Sequence, residues 1–534
     1  MNLRIRAWRV LLSLGAGLAL AFAFPEYSVP GIGWISLAGL LFASLDAGIA
    51  EAALCGFVYG VGFYSLNIPW VGTVLWQYAP MPIWQAFGIL TLLIIALSLF
   101  IASWSALVAW IAKRNTGLAL FAAPFIWVVL ELWRTRLPQI AFPWDMLGFV
   151  ASHSLAVVQL ASLTGIYGLS ALVVAYDALL VGTLIETRAR GLRNRATVAW
   201  TACTVALFAA ALFGARLVPQ AQPTSVAHLV QTNLPQYSEF PANWNQIHAA
   251  DMAQIDSISI GAGQKEPGLV VWPEVPAPFS LEDAPFAQHA EAIARLSGSD
   301  FLLGVIDWKS TRAGKNSLAP YNSAALLDPQ GREEFLYDKI HLVPFSEFIP
   351  GQDYIWLAKY LSGIVGNFHS GSRHVVGRLP GGTFGVFICY EAIFPDHVRQ
   401  FVRNGAALLI NVSNDGWFGR SAAGAQHLAQ ARVRAVENRR WLLRDTNNGF
   451  TASIDPYGRI VASMPTDIRG ELDAPYAFRS DLTLYTRWGD WIAWLSILVS
   501  VLCVAAAGLA RGQQPELERA AGQRRSPGRR KTKG

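Results

Sequence analysis

Apolar residues run in long, nearly unbroken stretches at 7–24, 31–49, 52–72, 87–112, 117–133, 157–184, 196–214 and 488–510. A helix crosses a bilayer in about 20 residues, so the pattern predicts eight spans, seven of them before a long segment of different character and one after it. Within that segment the pattern shortens. Runs at 226–231, 269–272, 301–306, 324–327, 385–389, 408–412 and 451–454 read as strands, and 287–296 and 425–444 read as helices. Asp328-Pro329-Gln330-Gly331 and Asp455-Pro456-Tyr457-Gly458 carry Pro second and Gly fourth, the signature of tight turns that close hairpins. The chain therefore reads as a polytopic α-helical membrane protein with an α/β domain inserted between spans seven and eight. The divisions are a membrane domain at 1–214, an outer domain at 215–487, a closing span at 488–510 and a basic tail without fixed structure at 511–534.

Composition agrees: 53% of the 534 residues are hydrophobic and 15% charged, against about 25% charged in soluble domains. The net charge of +6 is unevenly placed, with 23 Lys/Arg against 26 Asp/Glu inside 215–487 and 19 against 10 outside. The excess lies beside the spans, where positive charge sets topology, and no basic, aromatic-interleaved stripe suggests a nucleic-acid partner. On one side of the predicted spans stand 17 Lys/Arg, including Arg4, Arg6, Arg9, Arg188 to Arg195 and the tail; the opposite short loops hold only Arg134 and Arg136. Both termini are thus assigned to the cytoplasm and the outer domain to the periplasm. The first span resembles a signal peptide, but the spans that follow closely favour an uncleaved anchor. Of four cysteines only Cys389 lies in the outer domain. No Cys/His cluster has metal-ligand spacing, so neither a metal nor another cofactor is expected.

The outward loops are rich in aromatic residues: Pro69-Trp70, Trp76-Gln77-Tyr78 and Phe142-Pro143-Trp144-Asp145. They fit an interfacial aromatic belt or a lipid-lined entrance below the outer domain. Glu131, Arg134 and Arg136 fit a phospholipid headgroup, although Glu131 with an arginine one turn away equally fits a structural ion pair. Asp177 inside the sixth span is costly in lipid and is expected to face the bundle interior.

Three predicted strand ends carry reactive side chains. Glu274 follows Leu-Val-Val-Trp-Pro, Lys339 lies in Tyr-Asp-Lys-Ile-His, and Cys389 follows Gly-Val-Phe-Ile. A thiol attacking an acyl carbonyl needs a base and a nearby positive charge to favour the thiolate and the tetrahedral oxyanion, which a carboxylate and an ammonium supply. Singly these residues say little, since a cysteine after a strand is more often inert core.

Together they resemble the nitrilase, or carbon-nitrogen hydrolase, superfamily, with its Glu, Lys, Cys triad in this chain order. The more specific resemblance is to the apolipoprotein N-acyltransferases of bacterial inner membranes. It is carried by Val271-Trp272-Pro273-Glu274, Tyr337-Asp338-Lys339 with His341 to Phe345 and Glu347, Ile388-Cys389-Tyr390-Glu391 with Phe394-Pro395, and Asn411 to Gly419. The resemblance implies an α-β-β-α sandwich for the outer domain. Glu274 is then the base, Lys339 the oxyanion and thiolate stabiliser, and Cys389 the acyl-carrying nucleophile. Glu347 and Glu391 are supporting acids, and the Tyr390 backbone N–H is a second oxyanion donor. Trp244 corresponds loosely to a tryptophan in a mobile arm, and Trp417 and Phe418 to a lid touching the acyl chain.

The implied partners are a phospholipid acyl donor and a diacylglyceryl apolipoprotein acceptor; the implied reaction passes the acyl chain through a cysteine thioester to the acceptor's α-amino group. Alternatives are a membrane-anchored amidase using water as acceptor, a papain-like pairing of Cys389 with His341 or His397, and a transporter or lipid receptor. Eight spans exceed what anchoring needs, and a transporter would carry its polar groups at the membrane midplane. The topology predicts that a periplasm-dependent reporter is active when fused near Gly314 and silent after Arg511; the reverse pattern contradicts the eight-span reading.

Overall fold

The structure, a computed structural model, describes residues 6–524 other than 79–80, 238–239, 276, 311–317 and 352–367, and over 510–524 it describes the backbone alone. Its N-terminal part is helical: α1 (Ala7–Ala21), α2 (Ser36–Leu45), α3 (Ile49–Asn67), α4 (Trp70–Tyr78), α5 (Ile83–Ala112), α6 (Thr116–Arg136), α7 (Ala161–Arg190) and α8 (Arg195–Phe213). Among the described residues six helices are long and apolar enough to cross a membrane: α3, α5, α6, Val157–Arg190, Arg195–Arg216 and Trp491–Leu509.

The first two predicted spans come out shorter. One is the 15-residue α1, and the other is a 3₁₀ turn, Ile32–Trp34, leading into the ten-residue α2. Pro25, Pro30 and the left-handed Gly31, at φ 82°, interrupt the apolar run between them, because proline removes a helical donor and a left-handed residue ends the turn. The third predicted span is likewise cut at Asn67, ahead of Pro69, and the chain restarts as α4.

Small residues let the bundle close. A Cβ on Gly60 would stand 2.7 Å from the Ser98 backbone, so α3 and α5 touch as only glycine allows. Asp177 is fully buried, and its Oδ1 accepts the Ala38 N–H at 3.0 Å. Helix α8 differs, for none of its residues is buried while Val198, Val205, Phe208 and Leu212 are exposed. An apolar helix with so little protein around it has lipid as its packing partner.

The outer domain holds two six-stranded sheets. The first has the order β12-β1-β2-β3-β4-β5, from β1 (Ser225–Gln231), β2 (Leu269–Val271), β3 (Asp300–Ser310), β4 (Leu318–Leu327), β5 (Glu333–Asp338) and β12 (Gly470–Tyr476). The second has the order β11-β10-β9-β8-β7-β6, from β6 (Gly377–Leu379), β7 (Gly382–Ile388), β8 (Leu408–Ser413), β9 (Leu442–Thr446), β10 (Ala452–Ile454) and β11 (Ile460–Ser463). Three central strands of each sheet run parallel, β1-β2-β3 and β7-β8-β9, and their outer neighbours pair antiparallel.

Alternation along each strand sorts residues between layers. Leu229, Leu269, Val271, Leu302, Ala324 and Leu326 face the second sheet. Their neighbours Val230, Val270, Phe301, Leu303 and Ala325 pack with Ile255, Ala290 and Ile293 of the helices Ala249–Lys265 and Ala284–Ser297. On the far face of the second sheet lie the helices Pro395–Arg403 and Ala423–Asn438. The result is the expected α-β-β-α sandwich, inserted between the seventh predicted span and the last helix.

Both Pro-Gly turns close hairpins, β4-β5 and β10-β11. The predicted helix 425–444 is corrected: it ends at Asn438, Arg439 turns left-handed at φ 52°, and Leu442–Thr446 is strand β9. The apolar Trp441-Leu442-Leu443 continued the helical apolar run and masked the change of period. The last helix runs from Trp491 to Arg524, into the tail expected to lack structure; 525–534 lie outside the described residues.

Polar contacts join the two parts. Gln426, 1% exposed, donates through Nε2 to the carbonyls of Pro25 (2.9 Å) and Asn67 (3.0 Å) and accepts Trp144 Nε1–H at 2.8 Å. The Ile166 N–H, beside the left-handed Gly165, donates to Glu437 Oε1 at 2.9 Å. Leu302→Ala, which opens a cavity between the sheets, is expected to destabilise the outer domain by about 2–5 kcal/mol; denaturant unfolding that leaves the stability unchanged would contradict the intersheet placement of this side chain.

Candidate active site

The parallel order brings the ends of β2, β5, β7 and β8 to one edge of the sandwich, and each is followed at once or within three residues by a polar side chain: Glu274, Lys339, Cys389 and Asn414. All four are buried, with Glu274 and Cys389 at 5% exposure and Lys339 and Asn414 at 1%. The Lys339 ammonium lies between two carboxylates, 2.9 Å from Glu274 Oε1 and 3.0 Å from Glu347 Oε1. Asn322 on β4 donates its Nδ2 to the same two oxygens at 2.8 Å each. Glu274 Oε2 accepts the Asn414 N–H at 2.9 Å, and Glu347 Oε2 accepts that of Val343 at 2.7 Å. Burial works against the lysine's charge, but Glu274 and Glu347 outweigh it and hold the ammonium well above its ordinary range.

Cys389 opens a 3₁₀ turn, Cys389–Ile393, directly after β7, at φ 47°. A side-chain-bearing residue in the left-handed region is strained by about 1–3 kcal/mol and persists only when its surroundings over-determine it. Glu391 supplies much of that. Its carboxylate accepts the N–H groups of Ile388 (2.7 Å), Ile340 (2.7 Å) and His341 (3.0 Å) and the Tyr337 hydroxyl (2.8 Å), tying the cysteine turn to the Lys339 loop. Although burial opposes its charge, His397 and these donors hold Glu391 down at about 2. Burial and the Glu274 charge push the Cys389 thiol up, against the pull of Lys339.

The papain-like alternative is not what the fold builds. His341 stacks on Phe394 with ring centroids 4.1 Å apart, and His397 places Nε2 3.3 Å from Glu391 and Nδ1 3.0 Å from His374 Nε2. Burial and mutual repulsion lower His341 to about 3 and His374 to about 4.

Membrane-side aromatics meet the site. Phe418 packs against Trp70 (5.2 Å) and Trp144 (5.9 Å), Trp417 against Tyr78 (5.0 Å), and the Tyr390 hydroxyl donates to the Ala141 carbonyl at 3.1 Å. Trp244 is not brought to this edge; it is core, packed on His248 and Phe279. The two arginines separate. Arg136 binds Asp490 (2.6 Å) and Asp396 (3.5 Å) on a groove of about 690 Å³ between the two parts. Arg134 turns into the bundle, where its Nη1 donates to Tyr64 Oη at 2.6 Å and, among the described residues, its Nε has no partner. Among the described residues no carboxylate lies within 4 Å of it, so of the two readings of Glu131 the ion pair with Arg134 does not form. Glu131 Oε1 instead accepts from Trp127 Nε1 and the Leu147 N–H. Sequence reasoning missed Asn322 and His427, which lie inside a strand and a helix with no local motif to mark them.

Residues 226–475 match the carbon-nitrogen hydrolase family model, and residues 16–179 match that of the apolipoprotein N-acyltransferase N-terminal domain. An apolipoprotein N-acyltransferase of Geobacter metallireducens is 31% identical over 507 residues, 93% of this chain and 95% of that one; one of Bradyrhizobium diazoefficiens is 32% identical over 526 residues, 94% and 96%. The chain belongs to the apolipoprotein N-acyltransferase family. As a member of that family it is an N-acyltransferase with a nitrilase-like domain, and the water-dependent amidase alternative falls away. An amidase from Nesterenkonia is similar to half of the chain at 18% identity, with a TM-score of 0.36.

The Glu391 carboxylate generates a test. Because its folded-state pKa lies below the ordinary 4.5, the stability it contributes is complete above that value and is lost as pH falls through about 2. The stability gap between the native protein and Glu391→Gln should therefore be widest above pH 5 and narrow steadily below 4.5; a gap that does not change with pH contradicts the assignment.

Proposed function

We propose that Cys389 takes a fatty acyl chain from a membrane phospholipid and passes it to the α-amino group of a diacylglyceryl-cysteine at the N-terminus of an apolipoprotein. The observation that carries this reading is the buried Glu274–Lys339 pair beside a strained cysteine whose roof meets membrane-side aromatics. Glu274 Oε takes the thiol proton as Sγ attacks the ester carbonyl, and the oxyanion is stabilised by Lys339 and the Tyr390 N–H. Collapse breaks the ester C–O bond; the departing lysophospholipid oxygen takes the proton from Glu274, leaving a thioester. The neutral amine then attacks the thioester carbonyl and loses a proton to Glu274. The C–S bond breaks, and the sulfur regains that proton. Glu347 holds Lys339 in place, and Glu391 holds the turn.

The free Nε of Arg134, among Phe24, Phe63, Trp104 and Trp127, supports a contact with a lipid ester or headgroup, while Trp417 and Phe418 line the acyl path. We assign the outer domain to the periplasm and both termini to the cytoplasm, on the charge asymmetry of the loops.

Incubation with phospholipid bearing a labelled acyl chain is expected to leave hydroxylamine-sensitive label on the native protein and none on Cys389→Ala, and mass spectrometry is expected to find the chain on an added apolipoprotein. Label persisting on Cys389→Ala removes the cysteine from its role. Glu274→Gln should slow labelling by about 10²- to 10⁴-fold; labelling at the native rate removes Glu274 alone. Arg134→Met should raise the phospholipid concentration needed for half-maximal labelling severalfold without changing the response to acceptor, and an unchanged value excludes the contact.

A further inference from the structure

His427 lies in the helix Ala423–Asn438, is fully buried, and plays no part in the steps above. Its Nε2 lies 3.0 Å from the Cys389 carbonyl oxygen. A carbonyl only accepts, so Nε2 carries the proton. Burial and the Arg444 charge lower His427 from its ordinary value and favour the neutral ring, whose Nδ1 lone pair accepts from Arg444 Nη2 at 3.1 Å, nearer than Asp415 Oδ1 at 3.4 Å. Arg444 is fixed in turn by Asp415, at 2.8 and 2.9 Å, and by Asn411, to which its Nη1 donates. The ring is boxed by Trp144 and Phe418, with centroids 5.7 and 5.8 Å away. Its tautomer and its orientation are therefore both set by the surroundings.

What this does to the site follows from the planarity of the peptide bond. The Cys389 C=O and the Tyr390 N–H belong to one rigid trans unit and point in opposite directions. A donor that holds the oxygen from one side aims the N–H on the other, and polarises the unit so that the N–H donates more strongly. Cys389 sits at φ 47°, so the chain turns sharply between strand β7 and this plane, and the His427 donor is a side-chain hold on the plane in addition to the 3₁₀ turn.

We infer that His427 is a positioning residue that, through the Cys389–Tyr390 peptide, aims the Tyr390 N–H at the acyl oxyanion. The inference rests on Cys389 being the acyl carrier. It assigns the helix a role in both half-reactions, since each passes through an oxyanion at the same place, and it makes the membrane-side Trp144 part of what holds the clamp.

The test compares His427→Gln, whose side-chain N–H can reach the Cys389 carbonyl, with His427→Asn, which is too short to do so but leaves a polar group beside Arg444. The readouts, on full-length protein in phospholipid vesicles, are the rate of thioester labelling, the rate of its aminolysis by a diacylglyceryl peptide, and the rate of Cys389 alkylation by iodoacetamide. Alkylation occurs at a saturated carbon and forms no oxyanion. The expected result is a fall of about 10- to 100-fold in both acyl-transfer rates for His427→Asn, recovery to within about fivefold for His427→Gln, and alkylation unchanged in both. Equal loss in the two variants, alkylation falling in step with acylation, or native rates in His427→Asn would each overturn the inference. Absence of label on the native protein would overturn the acyl-carrier reading and this inference with it.

Discussion

Everything at the reactive edge is arranged around one costly feature, a lysine ammonium removed from water. Burying a charge of this kind costs several kcal/mol unless it is paired and its remaining donors are used. Here Glu274 and Glu347 supply the pairing at 2.9 and 3.0 Å, and Asn322 braces both carboxylates so that neither can swing away. Two carboxylates around one ammonium leave the cluster with an excess negative charge. Burial, with that excess beside it, pushes the Cys389 thiol up and favours its protonated form. The sheet order β12-β1-β2-β3-β4-β5 is what lets residues 274, 322 and 339 meet, because β2, β4 and β5 all deliver their polar residues to the same edge.

Much of this was legible in the chain. The seven strands expected from alternation are all present, both Pro-Gly turns close hairpins, and the three reactive residues predicted to follow strands do follow them. The lapses have physical causes. Hydropathy counts residues and not hydrogen-bonded turns, so the stretches on either side of Pro25 and Pro30 looked longer than the helices α1 and α2 they form. Strand β9 was hidden because three apolar residues continue a helical period as readily as they begin an extended one. Of the edge strands, β5 and β12 carry too many polar residues to alternate, and β6 and β11, of three and four residues, are too short to show a period.

The site was less legible than the fold. Motifs pointed to the side chains that bear charge, but not to those that hold them. Asn322 lies in the middle of an ordinary strand and His427 on an ordinary helix; their importance arises from partners 48 and 38 residues away in sequence, Glu274 and Cys389. The pair Arg134 and Arg136 shows the opposite failure. Separated by one residue and alike in charge, they lie two positions apart on a helix, and that spacing sends them to different sides, Arg136 to a pair of aspartates and Arg134 into an aromatic interior.

Gln426 bears on how this molecule can be handled and divided. Its amide belongs to the outer sandwich, yet its partners are Pro25, Asn67 and Trp144, contributed by two loops and the end of α3 in the helical part. Excision of residues 215–487 as a soluble fragment would strip those partners from a group that is 1% exposed, and would leave His427 without the indole that packs against it. The sandwich is thus incomplete at its lower face, and the missing wall is supplied by chain that only a bilayer or its detergent substitute keeps in place. The lipid phase is thus a structural ingredient of the sandwich as much as the medium of the helices.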